Sequence, residues 1–275
     1  MKRWSTSALT TLQMCGEKFR RHYIENDRMP SGPPAKRGIA VDRAVTESLT
    51  VKKTTGDAPI VEANKDIAAT EFERAWDEGV WFNPDERKED PAKIKAVTKD
   101  AAIDLAGLHA RTLGQQIVPL EIQHRIEVQP LNSDITIIGY LDIVSLEADE
   151  TRAMEIIRDT KTKEKAPNAA DAHDSQQLTM YALLRMAETG RIPDGLALDV
   201  LWKTPARGDL KHQVLPTTRT KSDFGALMGR INAGIQAVER GVFIPAAEGS
   251  WICSARWCQY FETCPYVRHP VAIQV

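Results

Sequence analysis

Four cysteines stand at the two ends of the sequence: Cys15 near the start, and Cys253, Cys258 and Cys264 near the end. In a reducing compartment such residues are interpreted first as metal ligands, catalytic thiols or buried small hydrophobic residues, and only then as disulfides. Four thiolates can hold zinc or a 4Fe-4S cluster, and the spacing alone does not decide between them. Four buried free thiols are the third alternative, because aromatic residues surround the C-terminal three.

A second chemical pattern lies in the middle of the chain, where Asp159, Thr160 and Lys161 follow Asp142. Side chains alternate along a strand, so Asp159 and Lys161 are expected to share one side. If the strand containing Asp142 pairs with this one, two carboxylates meet in a site suited to Mg²⁺ or Mn²⁺. A metal there would activate water, and the ammonium would offset charge in a transition state. A solvated surface ion pair is the alternative for Asp159 and Lys161 taken alone.

The composition predicts a globular protein. The chain has 275 residues, of which 42% are hydrophobic, enough for one large domain or two small ones. No apolar run is long enough to span a bilayer and no signal peptide is recognisable, so we expect a cytoplasmic protein that does not enter membranes. The net charge of -2 argues against a uniformly basic nucleic-acid-binding surface. Residues 1–43 nevertheless carry nine basic and four acidic side chains, which indicates either local DNA contact or a solvated helix face.

Hydrophobic periodicity predicts helices first and strands afterwards. Ser5 or Ser7 is expected to cap the first helix, which contains Cys15, and Gly38 and Asp42 share one face of the second. The predicted helices cover residues 7–25, 35–50, 62–80, 91–115, 175–189 and 222–240, and the predicted strands begin near 119 and continue over 135–144, 153–160, 196–203 and 213–215.

This order of elements predicts an α/β fold in a single domain that spans residues 1–275. Its four parts are N-terminal helices with the first cysteine (1–50), a helical insertion (51–118), a catalytic sheet with the helix after it (119–221), and a helix with the cysteine-rich tail (222–275).

In order and spacing, these motifs resemble the RecB-type branch of the PD-(D/E)xK nuclease superfamily. The similar residues are Gly139 to Asp142, Asp159 to Thr162, and Gln177 to Tyr181. The segment around Cys15 and the three C-terminal cysteines resemble the iron-sulfur exonucleases of that branch, which include the AddB nuclease domain and the CRISPR-associated RecB-like proteins. The resemblance covers most of the chain and is weakest over residues 52–118.

The resemblance implies a restriction-endonuclease-like core, with a central mixed sheet flanked by helices. It implies that Asp142 and Asp159 bind the metal, that Lys161 is catalytic, and that Gln177 and Tyr181 form a helix motif beside the site. It also favours a 4Fe-4S cluster over zinc at Cys15, Cys253, Cys258 and Cys264. Such a cluster would join the two ends of the chain, and we expect its role to be structural.

One position departs from the family pattern. Where the family usually has a histidine four residues after a glycine, this chain has Asp42 after Gly38. A carboxylate also binds hard divalent cations, so Asp42 is predicted to be a third ligand with an altered metal preference, although the site could equally be impaired. Glu121 is a further candidate ligand whose position also fits a solvent-facing strand residue. The six histidines, His124 among them, show no metal-ligand spacing.

The sequence therefore predicts a Mg²⁺- or Mn²⁺-dependent DNA nuclease, an exonuclease that hydrolyses phosphodiester bonds in phage or prokaryotic DNA recombination, repair or end processing. Recombination or replication proteins are possible partners. The chain lacks a phosphate-binding loop and thus has no ATP-driven motor of its own. The alternative is a catalytically weakened nucleic-acid-binding or assembly subunit that keeps the nuclease fold.

Overall fold

The computed structural model describes residues 3–130, 135–148, 152–204 and 207–267. Within these ranges six strands form one mixed sheet. The strands are β1 (Arg3–Trp4), β2 (Val118–Val128), β3 (Thr136–Ala148), β4 (Ala153–Lys163), β5 (Gly195–Lys203) and β6 (Leu210–Thr217).

Strand β3 is the centre of the sheet. It pairs antiparallel with β2 along most of one edge, from Val118 opposite Leu146 to Val128 opposite Ile137. On its other edge, β4 runs antiparallel to the second half of β3, and β1 runs parallel to the start of β3. Strand β5 then pairs parallel with β4 and antiparallel with β6. The predicted mixed sheet is confirmed.

Helices flank this sheet and enclose two large hydrophobic clusters. One cluster joins the helices Thr6–Met14 (α1), Gln176–Thr189 (α7) and Lys221–Glu239 (α8) to the sheet. The other joins the helices Pro33–Thr55 (α3) and Pro91–Arg111 (α5) to it. Leu141 and Ile157 lie in the first cluster and Ile143 in the second, and each of these side chains is almost completely buried. Burial of a side chain of this size contributes about 1.5–3 kcal/mol. The helices are α1 (Thr6–Met14), α2 (Gly16–Phe19), α3 (Pro33–Thr55), α4 (Val61–Asp77), α5 (Pro91–Arg111), α6 (Leu113–Gln116), α7 (Gln176–Thr189) and α8 (Lys221–Glu239).

The prediction of one continuous helix over residues 7–25 is wrong. Ser5 does cap α1, and its Oγ accepts a hydrogen bond from Ala8 N at 3.3 Å. Cys15, however, is extended, with φ -163° and ψ 109°, and it separates α1 from α2. A π-helical turn over Arg20–Ile24 completes the segment. Cys15 therefore lies at a junction between two helices and not inside one.

The region predicted as a helical insertion does contain helices, α4 and α5, which pack against each other and against α3. Asn64 of α4, a buried residue, donates to the backbone oxygen of Ala106 in α5. Lys203 of β5 pairs with Asp104 of α5 at 2.7 Å, which ties this region to the sheet. A strand, β1, precedes these helices, contrary to the predicted order. Among the described residues, no helix is long and apolar enough to cross a membrane.

The cysteine-rich segment after α8 has little regular structure. In its described part, residues 240–267, the one helical element is a 3-10 turn over Phe261–Thr263. The segment lies against the N-terminal region, where Tyr260 Oη donates a hydrogen bond to the backbone oxygen of Asp27. Gln259 Nε2 donates to the backbone oxygen of Pro30 at 2.6 Å. The two ends of the chain are therefore in contact.

Candidate active site

A cavity of about 640 Å³ opens where α3, α7 and the middle of the sheet meet. The helices contribute Asp42 from α3 and Gln177 from α7, and the sheet contributes Asp142 and Lys161. The remaining lining residues are Ser7, Pro34, Ala35, Gly38, Ile39, Val41, Gln123, Thr160 and Thr162. The cavity therefore brings four of the predicted site residues to one surface.

Asp142 and Asp159 are neighbours across two paired strands. Ile143 pairs with Arg158 at the end of the ladder between β3 and β4, Asp142 and Asp159 are the next residues along the two strands, and their carboxyl groups interact directly. The pKa of Asp142 lies well above its usual range, first because the carboxyl is buried and then because the Asp159 carboxylate adjoins it. Asp159 itself is completely buried. Two adjoining carboxylates that have been removed from water repel each other, and a bound cation would relieve that repulsion.

Lys161 supplies a positive charge beside this pair. Its Nζ donates to Asp159 Oδ1 at 2.9 Å and lies 2.7 Å from Asp159 Oδ2. Burial alone would lower the pKa of Lys161, but the charges of Asp159 and Asp142 outweigh burial and raise it. Lys161 therefore remains an ammonium at neutral pH, so it can orient an anion or a water molecule but cannot act as a general base.

Helix α7 brings two polar side chains to Asp142. Gln177 Nε2 donates to Tyr181 Oη at 2.6 Å, and Tyr181 Oη donates to Asp142 Oδ1 at 3.4 Å. Burial and the nearby Asp142 charge raise the pKa of Tyr181, so its phenol stays protonated and remains a donor. Gly139 permits this approach, because a Cβ there would lie 2.4 Å from Leu184 Cδ1 and 3.7 Å from the Tyr181 ring. The first residue of the Gly139 to Asp142 motif thus controls how closely α7 packs on β3.

Asp42 lines the cavity from α3, one helical turn after Gly38, which lines it too. Burial raises the pKa of Asp42, while the charges of Arg43 and Lys161 partly oppose that shift. Asp42 also interacts electrostatically with Asp142 and Asp159. The charges of all three carboxylates therefore act on the ammonium of Lys161.

Gln123 of β2 is a cavity residue that the sequence did not single out. Its Nε2 lies 3.4 Å from Asp42 Oδ1 and 3.2 Å from Thr46 Oγ1. Its backbone has φ 49°, in the left-handed region that non-glycine residues rarely occupy. It lies between Ile122 and His124, whose strand partners are Ile143 and Leu141, so Gln123 stands opposite Asp142. A glutamine within a strand carries no sequence signal for this position.

The residues present fit a hard divalent cation. Mg²⁺ and Mn²⁺ prefer carboxylate oxygens, and Asp42, Asp142 and Asp159 offer them from three different elements. Asp159 Oδ2 is buried and receives no hydrogen bond of acceptable geometry, although it lies in ion-pair contact with Lys161. A buried acceptor left in this way is available to a metal.

Comparison with known proteins identifies the family. The family model described as the PD-(D/E)XK nuclease superfamily matches residues 3–265. The chain belongs to the PD-(D/E)XK nuclease superfamily. No curated protein matches the sequence. A solved structure described as the crystal structure of SSO0001 aligns over 98% of this chain and 88% of that chain, with 13% sequence identity and a TM-score of 0.45.

Membership of the PD-(D/E)XK superfamily agrees with the predicted restriction-endonuclease-like α/β fold and with a metal-dependent nuclease. The match is to the superfamily as a whole. The RecB-type iron-sulfur branch, and the roles of Asp42, Asp142, Asp159, Lys161, Gln177 and Tyr181, stay predictions.

Glu121 does not contribute to the cavity of this PD-(D/E)XK protein. It lies 3.1 Å from Arg185 Nη2 and 3.1 Å from His124 Nδ1, whose Nε2 in turn lies 2.8 Å from Glu188. Glu121, His124 and Glu188 thus form a small group with the geometry of metal ligands, which the sequence spacing did not reveal. Arg185 already pairs with Glu121, Glu188 and Glu155, so a positive charge is built into this group.

The four cysteines come together beside the PD-(D/E)XK core. Cys15 Sγ accepts hydrogen bonds from Lys18 N at 3.5 Å and from Ala246 N at 3.4 Å. Burial raises the pKa of the Cys253 and Cys258 thiols, and the nearby Cys15 and Cys264 thiols raise it further. Mutual repulsion of this kind between thiolates is relieved when they bind a metal centre.

The contact that joins the first cysteine to the C-terminal segment is backbone to backbone. Gly16 N donates to Ile244 O at 2.7 Å, and a Cβ on Gly16 would lie 2.5 Å from Ile244 N. Nearby, the Arg21 guanidinium lies over the Tyr260 ring at 4.4 Å and donates to Thr263 Oγ1 at 2.8 Å. The two ends of the chain thus meet around the thiols, as the prediction of a four-cysteine group requires.

Proposed function

We propose that this protein is a Mg²⁺- or Mn²⁺-dependent DNA nuclease that hydrolyses phosphodiester bonds and acts as an exonuclease. The observation that supports this most directly is the meeting of Asp142, Asp159 and the Lys161 ammonium at an open cavity. Phosphoryl transfer needs a bound cation, an oriented water molecule and compensation of the charge that develops on the phosphate. The residues at this cavity can supply each of these requirements.

The proposed roles follow from the contacts. Asp142, Asp159 and Asp42 would hold the cation, which when bound polarises a phosphoryl oxygen and lowers the pKa of a water molecule. Lys161, held protonated by Asp159, would donate hydrogen bonds to the water or to a non-bridging phosphate oxygen. Tyr181 would keep the Asp142 carboxylate in one orientation through its 3.4 Å contact.

We further propose that Cys15, Cys253, Cys258 and Cys264 hold a 4Fe-4S cluster. All four are described, and no three of their Sγ atoms lie within 4.8 Å of one another. Around a single zinc ion with bonds of about 2.3 Å, four sulfurs would lie about 3.8 Å apart. In a cubane each thiolate binds a different iron, so the sulfurs lie farther apart. Free thiols would also lie apart, so the cluster is favoured over them by the resemblance of the four-cysteine pattern to that of the iron-sulfur nucleases.

The cellular role that fits is processing of DNA ends during recombination or repair, together with other proteins.

The test is cleavage of DNA labelled at either the 5′ or the 3′ end, as single strands, linear duplexes and covalently closed circles, with Mg²⁺, with Mn²⁺ and with EDTA. An exonuclease degrades the linear molecules and leaves closed circles intact. Asp159→Ala should reduce cleavage below detection, and Lys161→Ala should reduce it by about 10²–10³-fold.

Lys163→Ala is the matched control, because Lys163 lies two residues along the same strand but pairs with Asp171 and does not line the cavity. It should cleave at the wild-type rate. Wild-type protein that binds DNA but does not cleave it with either metal would refute the proposal and support the catalytically weakened binding subunit instead. Near-wild-type rates for folded Asp159→Ala and Lys161→Ala would refute the assignment of the site.

A further inference from the structure

A second cavity of about 320 Å³ adjoins the candidate active site. Pro34 and Ala35, at the start of α3, line both cavities. From Pro34 to Asp42 the helix rises about 12 Å, a distance that a few nucleotides cover. A DNA strand whose phosphate lies at Asp42 is therefore long enough, within a few nucleotides, to reach the second cavity.

Two tryptophans line this second cavity from different parts of the chain. Trp81 is held in place by its backbone, whose N–H donates to Ser31 O at 3.2 Å. Trp257 comes from the cysteine-rich segment, and half of its surface (51%) is exposed. The Arg256 guanidinium lies 5.5 Å from the Trp257 ring centroid. An exposed indole beside a guanidinium is a stacking surface for a planar, π-rich ligand.

The charges of the cavity indicate which part of a nucleotide it would hold. Lys18 and Arg256 are balanced by Glu86 and Glu164, so the lining has no net charge. A phosphate would gain little from such a lining, because the cavity holds as many acidic as basic side chains. A nucleobase, in contrast, is uncharged and offers a flat face for stacking.

We propose that this cavity binds an unpaired base of the DNA single strand whose phosphodiester lies in the active site. The inference rests on the proposed nuclease function and adds the preferred form of substrate. Stacking on one aromatic side chain contributes about 1–3 kcal/mol per base and does not depend on base identity. A base inside a duplex is stacked and paired, so it reaches a concave pocket only at the cost of unpairing.

The experiment measures binding without cleavage. The Asp159→Ala protein is titrated with a fluorescent single-stranded oligonucleotide, with the same oligonucleotide made abasic throughout, and with a blunt duplex. Adding Trp257→Ala should weaken single-strand binding by about 5–150-fold, as expected for the loss of one stacking contact. Binding of the abasic strand and of the duplex should not change. Trp257→Phe, which keeps a ring, should retain most of the single-strand affinity.

Tyr266→Ala is the matched control, because Tyr266 is an equally exposed aromatic residue (59%) of the same segment that does not line the cavity. The proposal is overturned if the abasic strand binds wild-type protein as tightly as the normal strand. It is also overturned if Trp257→Ala binds single strands as wild type does, or if it weakens duplex binding to the same extent.

The nuclease proposal is judged separately. Metal-dependent cleavage that Trp257→Ala leaves unchanged on single strands supports the nuclease and refutes the base cavity. Base-dependent binding by a protein that never cleaves supports the cavity and refutes the nuclease.

Discussion

The acidic cavity and the cysteine-rich segment are held in place in different ways. Asp142 and Asp159 lie on paired strands whose flanking residues, Leu141 and Ile157, are fully buried. Cys253, Cys258 and Cys264 lie outside helices and strands, and each is only partly buried. The hydrophobic core therefore fixes the cavity whether or not a metal is bound, whereas the cysteine segment would be held mainly by the proposed cluster.

The two regions also differ in how the protein is destabilised when nothing is bound to them. In the cavity, buried carboxylates repel one another, which destabilises the metal-free protein. At the thiols, a bound group would close the long loop between Cys15 and Cys253, and without it the segment after α8 keeps only its other contacts with the N-terminal region, such as the hydrogen bond from Tyr260 to Asp27 and the packing of Phe243 on Phe19. Closing so long a loop without a cross-link is entropically unfavourable. Substitutions should accordingly reduce catalysis in the first region and folding in the second.

The largest loss of stability is expected from Cys253→Ser, which removes one of the four thiolates. The anaerobically purified variant should contain little iron and lack the broad visible absorption of the wild type. Its free energy of unfolding should be lower than that of the wild type by about 3 kcal/mol or more. Hydrogen exchange should rise in residues 3–24 and 240–267 but not in β3 and β4. Ser250→Ala, a nearby residue without a thiol, is the control. Wild-type protein containing one zinc and no iron would replace the cluster by a zinc site, and protein containing neither metal would indicate four free thiols.

A smaller loss of stability is expected from Gly16→Ala. The new Cβ would lie 2.5 Å from the backbone nitrogen of Ile244, so the two ends of the chain must move apart at a cost of about 1–3 kcal/mol. Gly229→Ala is the matched control, because Gly229 is also helical and a Cβ there meets nothing within 4 Å. We expect Gly229→Ala to be neutral or stabilising. Thermal unfolding of both variants in parallel gives the comparison, and equal stability would show that the ends are not packed so closely.

The cavity was easier to predict from the sequence than the cysteine segment. Strand alternation placed Asp159 beside Lys161, and pairing of consecutive strands placed Asp142 opposite Asp159, because both relations are local or nearly local in sequence. The break at Cys15 was not predicted, because its partners, Ile244 and Ala246, lie at the other end of the chain.

Other misses have the same physical origin. Strand β1 has only two residues, and its partner is the distant start of β3, so no periodicity reveals it. Gln123 reaches the cavity because its backbone is left-handed, a conformation that glutamine does not signal. Glu121 pairs with Arg185 of α7 and does not line the cavity. The sequence around either residue does not predict this ion pair, because the two residues lie far apart in the chain.

A gain of stability is expected from Asp142→Asn in metal-free protein. The raised pKa of Asp142 means that the folded state holds a proton more tightly than the unfolded state. Wild-type stability should therefore rise as the pH falls through that raised pKa towards the ordinary aspartate value of 3.8, and the charged form should be the destabilising one. Asparagine removes this charge, so at pH 7 the variant should be more stable by about 1 kcal/mol or more, with a weaker pH dependence. Added Mn²⁺ should stabilise the wild type much more than the variant.

Denaturant unfolding in EDTA from pH 5 to pH 8 measures this effect. Asp104→Asn is the control, because the Asp104 carboxylate pairs with Lys203 outside the cavity. This variant should be slightly less stable than the wild type, since it loses that ion pair. An Asp142→Asn variant less stable than wild type at pH 7 would show that the two carboxylates do not repel each other.

The smallest effect is expected at Asp42, which reaches the cavity from a helix and not from the sheet, and whose carboxylate contacts Gln123 at 3.4 Å. Asp42→Ala should weaken Mn²⁺ binding by about tenfold, close to 1.4 kcal/mol, because two of the three carboxylates remain. Asp42→His should retain binding but shift the preference from Mg²⁺ towards transition metals, which imidazole favours. Calorimetric titration of each variant with Mg²⁺ and Mn²⁺ separates affinity from activity.

Thr46→Ala is the control, because Thr46 also contacts Gln123 but does not line the cavity. If Asp42→Ala binds both metals as wild type does, Asp42 is a cavity residue that binds no metal, and only Asp142 and Asp159 hold the cation.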